Sequence, residues 1–265
     1  MKEYIIKTKR TTNYIYSGSE KSFAPMVFLH GFSGTHKSWA EILAKLGTAA
    51  IAVDLPGHGK STFNNLELEY NIDMWCEDFS RILDFLDLER VSLCGYSMGG
   101  RLAISFAIKY PEKISSLILE SASCGINDAE DRRERFQKDL KLCSLIERDL
   151  PEFIQKWENN ELFLKQRDRN PQGFLTQRKE RLLHNPKQLS KALKSFSQGA
   201  MGCYEEEFSK FKFPVTLING SEDFLYIEKG RMLSRLSPHV NHCIIDEVGH
   251  NIHLENPAKF IDCLK

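Results

Sequence analysis

Ser97 stands in Gly95-Tyr96-Ser97-Met98-Gly99, a G-x-S-x-G pentapeptide with an apolar run before it and an amphipathic stretch after it. Small residues two before and two after a serine permit a strained strand-to-helix turn that lifts the hydroxyl clear of a sheet. The helix start that follows adds free N–H groups and a positive dipole end near Oγ. A serine hydroxyl is a poor nucleophile or base at neutral pH until an oriented imidazole takes its proton. Of the eight histidines, His250 is the best placed, in Val248-Gly249-His250-Asn251 just after the last apolar run. His30, His58 and His253 compete, although His30 is expected to shape its His-Gly-Phe loop and His58 to brace its Pro-Gly-His-Gly turn. An acid between the two in chain order completes the set. Asp223, in Gly220-Ser221-Glu222-Asp223 after an apolar run, fits; the adjacent Glu222 is expected to face outward, and Asp246 is the weaker choice. Charge developing on a substrate oxygen needs main-chain donors, and these are expected from Met98, the residue after the serine, and from Phe32 in His30-Gly31-Phe32-Ser33-Gly34. Acting through main chain, neither needs a special side chain.

These residues require elements that bring them together. Short apolar runs at Met26–His30, Ala49–Asp54, Val91–Cys94 and Ile114–Leu119 predict buried strands, and Tyr4–Lys7 with Tyr14–Tyr16 predict an early hairpin. Between them lie helical patterns. In 72–88 Trp75, Phe79, Ile82, Leu83 and Leu86 recur at spacings of three and four, and Leu102, Ala103, Phe106 and Ala107 do the same after Gly100. Continuous apolar strands separated by helices imply a mostly parallel, twisted α/β sheet covered on both faces. From about Gly125 to Glu205 only charged helical sequence occurs, anchored by Trp157, Leu162 and Phe163. Strand character then returns at Pro214–Asn219 and His242–Asp246, before a last helix from Pro257. The expected organisation is a core of residues 1–124 and 206–265, with 125–205 inserted as a helical lid.

Composition excludes other classes. The 265 residues carry 36 Lys+Arg and 36 Asp+Glu, a net charge of zero, which argues against a nucleic-acid binder that must neutralise phosphates. Nowhere do about 18 apolar residues run together, so no membrane span is expected. Met1–Lys7 lacks the apolar run of a signal peptide. The seven cysteines are scattered and never form a CxxC pair, which disfavours structural zinc and a disulfide framework and suits reduced thiols in the cytoplasm. No metal-ligand cluster is visible, and neither a metal nor an organic cofactor is expected. A monomer or weak oligomer is expected.

His-Gly-Phe-x-Gly at 30–34, Val53-Asp54-Leu55-Pro56-Gly57-His58-Gly59-Lys60-Ser61, Gly-Tyr-Ser-Met-Gly-Gly at 95–100 and Gly-His-x-x-His-x-Glu-x-Pro at 249–257 span nearly the full chain. In that order they resemble the α/β-hydrolase superfamily. The resemblance implies that fold and a Ser97, Asp223, His250 triad, but esterases, C–C hydrolases, haloperoxidases and lyases share it. Finer details are similar to one branch, the 2-succinyl-6-hydroxy-2,4-cyclohexadiene-1-carboxylate synthases of menaquinone biosynthesis. The matching pieces are Gly-Tyr-Ser-Met-Gly-Gly-Arg101, Ala129-Glu130-Asp131-Arg132-Arg133-Glu134-Arg135, Trp157 with Phe163, Gln177-Arg178, and the segment 249–257. That branch binds a tricarboxylate, and the match implies Tyr96, Arg101, Arg135, Trp157, Phe163 and Arg178 as its contacts, with Arg132 able to substitute for Arg135.

Eight of the 14 arginines fall in the inserted segment, where 16 Lys+Arg meet 13 acids over 126–205. A solvated helical surface accounts for most of them; a few facing the site would suit carboxylates, which the guanidinium fork matches. One departure from the branch is Met201-Gly202-Cys203-Tyr204-Glu205-Glu206-Glu207-Phe208, whose three acids would be unfavourable beside an anionic substrate and are expected to face solvent. The implied reaction eliminates pyruvate from 2-succinyl-5-enolpyruvyl-6-hydroxy-3-cyclohexene-1-carboxylate, a small-molecule polycarboxylate. A serine ester or C–C hydrolase for an acidic substrate is the alternative enzyme, and an idle ligand receptor on the same fold is the alternative outside catalysis.

Overall fold

The computed structural model describes residues 2–17 and 25–264. Among these residues nine strands form one sheet: β1 Lys2–Lys7, β2 Thr11–Ser17, β3 Met26–Leu29, β4 Ala50–Val53, β5 Thr62–Phe63, β6 Val91–Tyr96, β7 Ile114–Glu120, β8 Val215–Gly220 and β9 Val240–Ile245. The order is β1-β2-β4-β3-β6-β7-β8-β9, with β5 beside β2. From β4 to β9 every pairing is parallel, while β1, β2 and β5 add an antiparallel edge. The expected hairpin is β1–β2. The two-residue β5 is too short to leave a periodic signal in the sequence.

Strand periodicity explains why the central strands read as continuous apolar runs. Val27 and Leu29, Ile51 and Val53, Leu93, Leu117 and Leu119, and Leu217 all feed one core. Their neighbours Phe28, Ala50 and Ala52, Cys94, Ile118 and Ile218 feed the core on the opposite face. The first core is closed by α2 (Ile72–Phe85) and α3 (Met98–Lys109), the second by α1 (Ala40–Lys45) and the C-terminal pair α11 (Ile252–Glu255) and α12 (Pro257–Asp262). The apolar face of α2 buries Trp75, Phe79, Ile82 and Leu83, and the Asn71 side chain caps its start by accepting from Met74 N–H.

Between β7 and β8 the chain is helical: α4 (Ala129–Arg148), α5 (Leu150–Glu158), α6 (Gln166–Arg169), α7 (Pro171–Leu182), α8 (Pro186–Ser195) and α9 (Glu205–Ser209). Asp128, Asp149, Asn170 and Asn185 cap four of these helices through their side chains, and α5, α7 and α8 each carry a proline in the first turn, where no N–H is missed. These helices share a small core of their own, built from Ile146, Leu150, Phe153, Ile154, Leu189 and Leu193. Ala192 of α8 and Phe208 of α9 pack back on the sheet side and join the main core, and α9 straddles the expected boundary at 205/206. The helix α10 (Phe224–Ser234) follows β8. Among the described residues no helix is long and apolar enough to cross a membrane.

Candidate active site

The carboxyl ends of β3, β6, β7 and β8 converge beneath the inserted helices, and the singled-out residues sit there. β6 ends at Tyr96 and α3 begins at Met98, so the turn consists of Ser97 alone, with φ 50° and ψ −107°. Such a conformation costs about 1–3 kcal/mol in a non-glycine residue and persists only when its surroundings hold it. They do: Ser97 N–H donates to Glu120 O at 2.9 Å, and Ser97 O accepts from Arg101 N–H at 3.1 Å. Gly99 lets the helix start press against the neighbouring strand end, since a Cβ there would stand 2.6 Å from His30 O.

Ser97 Oγ lies 3.1 Å from His250 Nε2, and His250 Nδ1 lies 2.6 Å from Asp223 Oδ2. Asp223 and His250 are both buried. A buried carboxylate on Nδ1 fixes the tautomer that leaves Nε2 free to accept the serine proton. The rings of Tyr226, Tyr96 and Phe163 pack on the imidazole, with centroids 4.6, 5.5 and 5.8 Å away. Glu222 points elsewhere, paired with Lys165 and Arg169, and Asp246 is exposed. The competing histidines have other partners. His253 is fully buried with its Nδ1 2.6 Å from Glu120 Oε2, and Glu120 Oε1 accepts His253 N–H at 2.9 Å. Glu120 thus ties the His250 loop to the strand that also holds Ser97. An acid closing the apolar β7 run was the sequence signal for this contact.

The loop after β3 approaches Ser97 from the other side. Its glycines permit the contact: a Cβ on Gly31 would lie 2.7 Å from the Tyr96 ring. Phe32 and Met98 both line the cavity over Ser97, and among the described residues neither N–H has a protein acceptor. The Phe32 side chain has a packing role of its own. Its ring packs edge-on against Trp157 (5.3 Å), His58 (5.5 Å) and Phe153 (6.1 Å), bridging the sheet core and the inserted helices.

The polar and aromatic lining from beyond these loops includes Arg101, Arg135, Trp157, Phe163, Gln177, Arg181 and Gln198. Tyr96 and Tyr226 also line it, and no Asp or Glu does among the described residues. Arg101 donates to Phe196 O at 2.9 Å. Burial, with neighbouring Arg135 adding to it, lowers its guanidinium to about 10, so it remains a cation at neutral pH. Arg135 is aimed by Asp139, which accepts from its Nε at 3.0 Å, and by Gln198 Oε1 at 3.0 Å from Nη1. Arg132 turns away, donating to the carbonyls of Ile126 and Asn127.

Arg178 does not reach the cavity. It is half-exposed and pairs with Glu158 at 3.2 Å; Arg181, one turn further along α7, is buried at the cavity wall with Nη1 3.1 Å from Glu158 Oε1. The two are neighbours one turn apart that share Glu158, but only Arg181 lines the cavity, a distinction that motif matching does not carry. Burial lowers the Arg181 guanidinium while Glu158 opposes the fall. Two buried donors are without partners here among the described residues, Trp157 Nε1–H and Arg181 Nε–H. The acids at 205–207 do not line this cavity, and Glu206 pairs with Lys210. Arg181, Gln198 and Tyr226 were not singled out in the sequence, and Gln177 was noted only as part of the Gln177-Arg178 match.

A sheet of this order, a serine at the strand-to-helix turn and the Ser97–His250–Asp223 chain of contacts define an α/β-hydrolase fold protein, and the model of that family matches residues 24–257. A Bacillus subtilis protein provisionally named 2-succinyl-6-hydroxy-2,4-cyclohexadiene-1-carboxylate synthase is 35% identical over 237 residues, 89% of this chain and 86% of its own. The enzyme of that name from Enterobacter sp. (strain 638) is 27% identical over 244 residues, 91% of this chain and 90% of its own. Among solved structures, MenH from S. aureus superposes with a TM-score of 0.89 at 28% identity over 97% of both chains. The chain belongs to the 2-succinyl-6-hydroxy-2,4-cyclohexadiene-1-carboxylate synthase branch of the α/β-hydrolase fold family.

Proposed function

We propose that this chain is a carbon–oxygen lyase of menaquinone biosynthesis, eliminating pyruvate from 2-succinyl-5-enolpyruvyl-6-hydroxy-3-cyclohexene-1-carboxylate to leave 2-succinyl-6-hydroxy-2,4-cyclohexadiene-1-carboxylate. The observation that carries this reading beyond the family name is the cavity over Ser97, walled by Arg101, Arg135 and Arg181 with no carboxylate among its described lining residues. Three cations and two unpartnered buried donors suit a polyanion and make a poor receptacle for a neutral ester.

In the proposed mechanism Ser97 Oγ, its proton taken by His250, abstracts the proton α to the succinyl ketone. The electron pair moves onto the ketone oxygen, where the N–H groups of Phe32 and Met98 receive the charge. Two such donors contribute about 3–4 kcal/mol each to the transition state, and general-base assistance about 10²–10⁴-fold. Collapse of the enolate forms the new ring double bond and breaks the bond to the enolpyruvyl oxygen; the proton held on His250 returns to the leaving group, which departs as pyruvate. Asp223 keeps the imidazole oriented and balances its charge. Arg101, Arg135 and Arg181 hold the carboxylates, Trp157 Nε1–H donates to one of them, and Tyr96 and Phe163 pack on the ring. Arg178 supports Arg181 through the shared Glu158. The inserted helices act as a lid over a single-chain, cytoplasmic enzyme.

The deciding assay supplies the enolpyruvyl substrate to purified protein and follows pyruvate. Release well above the spontaneous rate is expected; its absence would sink the lyase reading. A trapped acyl-serine with brisk turnover of simple esters would instead mark a hydrolase.

A further inference from the structure

The loop that carries the Phe32 N–H is held by three imidazoles, and one of them does not belong to the core. His30 Nδ1 donates to Gly31 O at 2.8 Å, fixing the peptide whose other end is Phe32 N–H. His58 Nε2 accepts Ser33 N–H at 3.1 Å. His184 Nε2 donates to Ser33 O at 3.0 Å, and its Nδ1 accepts Gly59 N–H at 3.2 Å. Both His184 contacts are met by a single neutral tautomer, protonated at Nε2. His184 is buried and lies in the inserted segment, between α7 and α8, three residues after Arg181.

Ser33 needs holding. Its φ is 61°, in the left-handed region, which costs a non-glycine residue about 1 kcal/mol or more. Without an external bond on its carbonyl the residue would relax towards negative φ, and the adjoining Gly31–Phe32 peptide would turn with it. The Phe32 ring is also seated against Phe153 and Trp157 of the inserted helices. Main chain and side chain of the same loop therefore both lean on the insertion.

We propose that His184 is a positioning residue through which the inserted helices set the direction of the Phe32 N–H, so that the oxyanion site is complete only when α7 is seated on the core. The inference rests on the lyase reading for its kinetic consequence, but the contact itself does not. A single short segment, residues 181–184, then presents Arg181 to the substrate and aligns the donor that the reaction needs.

The test compares His184→Phe, which keeps the ring's bulk and drops both nitrogens, with His184→Gln, whose amide reaches Ser33 O as Nε2–H does. Should the first variant not fold, His184→Asn replaces it, retaining the Gly59 contact while falling short of Ser33. With the enolpyruvyl substrate, a fall in kcat of about tenfold or more is expected for the phenylalanine variant, because loss of a whole donor costs about 10²–10³-fold. KM should stay within about threefold, and the glutamine variant should recover most of kcat. A folded phenylalanine variant with native kcat, or a glutamine variant as impaired as it, overturns the proposal. If the wild-type protein releases no pyruvate, the lyase reading falls, and the claim is read from the amide resonances of Phe32 and Ser33. Shifts in the phenylalanine variant that the glutamine variant reverses support it, and unmoved resonances overturn it.

Discussion

Arg178 and Arg181 are three residues apart on α7, and the difference between them shows what a residue type can and cannot tell. Both pair with the buried Glu158, yet only Arg181 lines the cavity at Ser97. A charge-assisted hydrogen bond is worth about 1.5–3 kcal/mol, so removing Arg181 should lower kcat/KM by about 10–100-fold. Replacing it alone would strand a buried carboxylate, a change that destabilises by about 3–5 kcal/mol. The clean comparison is therefore Arg181→Met combined with Glu158→Gln, set against Arg178→Ala, which should stay within about threefold of wild type. Steady-state kinetics decides, and a greater loss from Arg178→Ala would reverse the assignment. Ser97→Ala should remove nearly all pyruvate release, since the Ser97 hydroxyl is the one hydrogen-bonded to His250 Nε2 among the described residues; a fully active variant would mean that Ser97 is not the base. Ser97, Asp223 and His250 were legible because a strained turn, a strand end and a post-strand loop each leave a local signature. Arg181 and His184 were not, because helical phase and long-range packing decide which way such side chains face.

At the scale of elements, apolar runs located every strand of the sheet except β5, and spacing located α2 and α3. The insertion was legible only as charged helical sequence: α4, α6 and α7 present too few apolar residues for periodicity to assign their inner faces, and their partners are distant in sequence, α8 for α4, α11 for α6 and α5 for α7. What they enclose has a consequence for access. The space over Ser97 amounts to about 50 Å³, whereas pockets that take ligands of this size hold about 300–1,000 Å³. We infer that substrate enters by displacing the inserted helices, and the bridges to be released are Lys37 with Glu180 at 2.9 Å and His184 with Ser33. Trp157, packed between Phe32 and Phe163, should report the motion. In stopped-flow mixing with the cyclohexadiene product, its fluorescence change should approach a limiting rate as ligand concentration rises. A rate that climbs linearly to the limit of mixing would show that the site admits ligand without rearrangement.

Over the whole molecule, zero net charge conceals an uneven distribution: arginines gather at one cavity, and neutral imidazoles gather behind it. Burial lowers His30 to about 4 and lowers His58 and His184 as well, the neighbouring imidazoles adding to the fall at His58. An unfolded histidine titrates near 6.5. Between pH 6.5 and about 4 the unfolded chain therefore takes up protons that the folded protein refuses, and stability falls as pH is lowered through that window. At higher pH all three are neutral in both states and the penalty vanishes. For His30 the gap corresponds to about 3 kcal/mol, a substantial part of the 5–15 kcal/mol that holds most domains together. Asp54, whose carboxylate is kept low by His36 against the opposing effect of burial, adds its own loss only at more acidic pH, below the ordinary aspartate range. Urea midpoints should therefore drop steeply from pH 7 to pH 4.5. The slope should be shallower in His30→Gln, whatever that substitution does to the stability at pH 7. A midpoint that holds steady or rises over this interval would mean that these imidazoles are charged in the folded protein, and with them the neutral hydrogen-bond pattern that shapes the Phe32 loop would have to be abandoned.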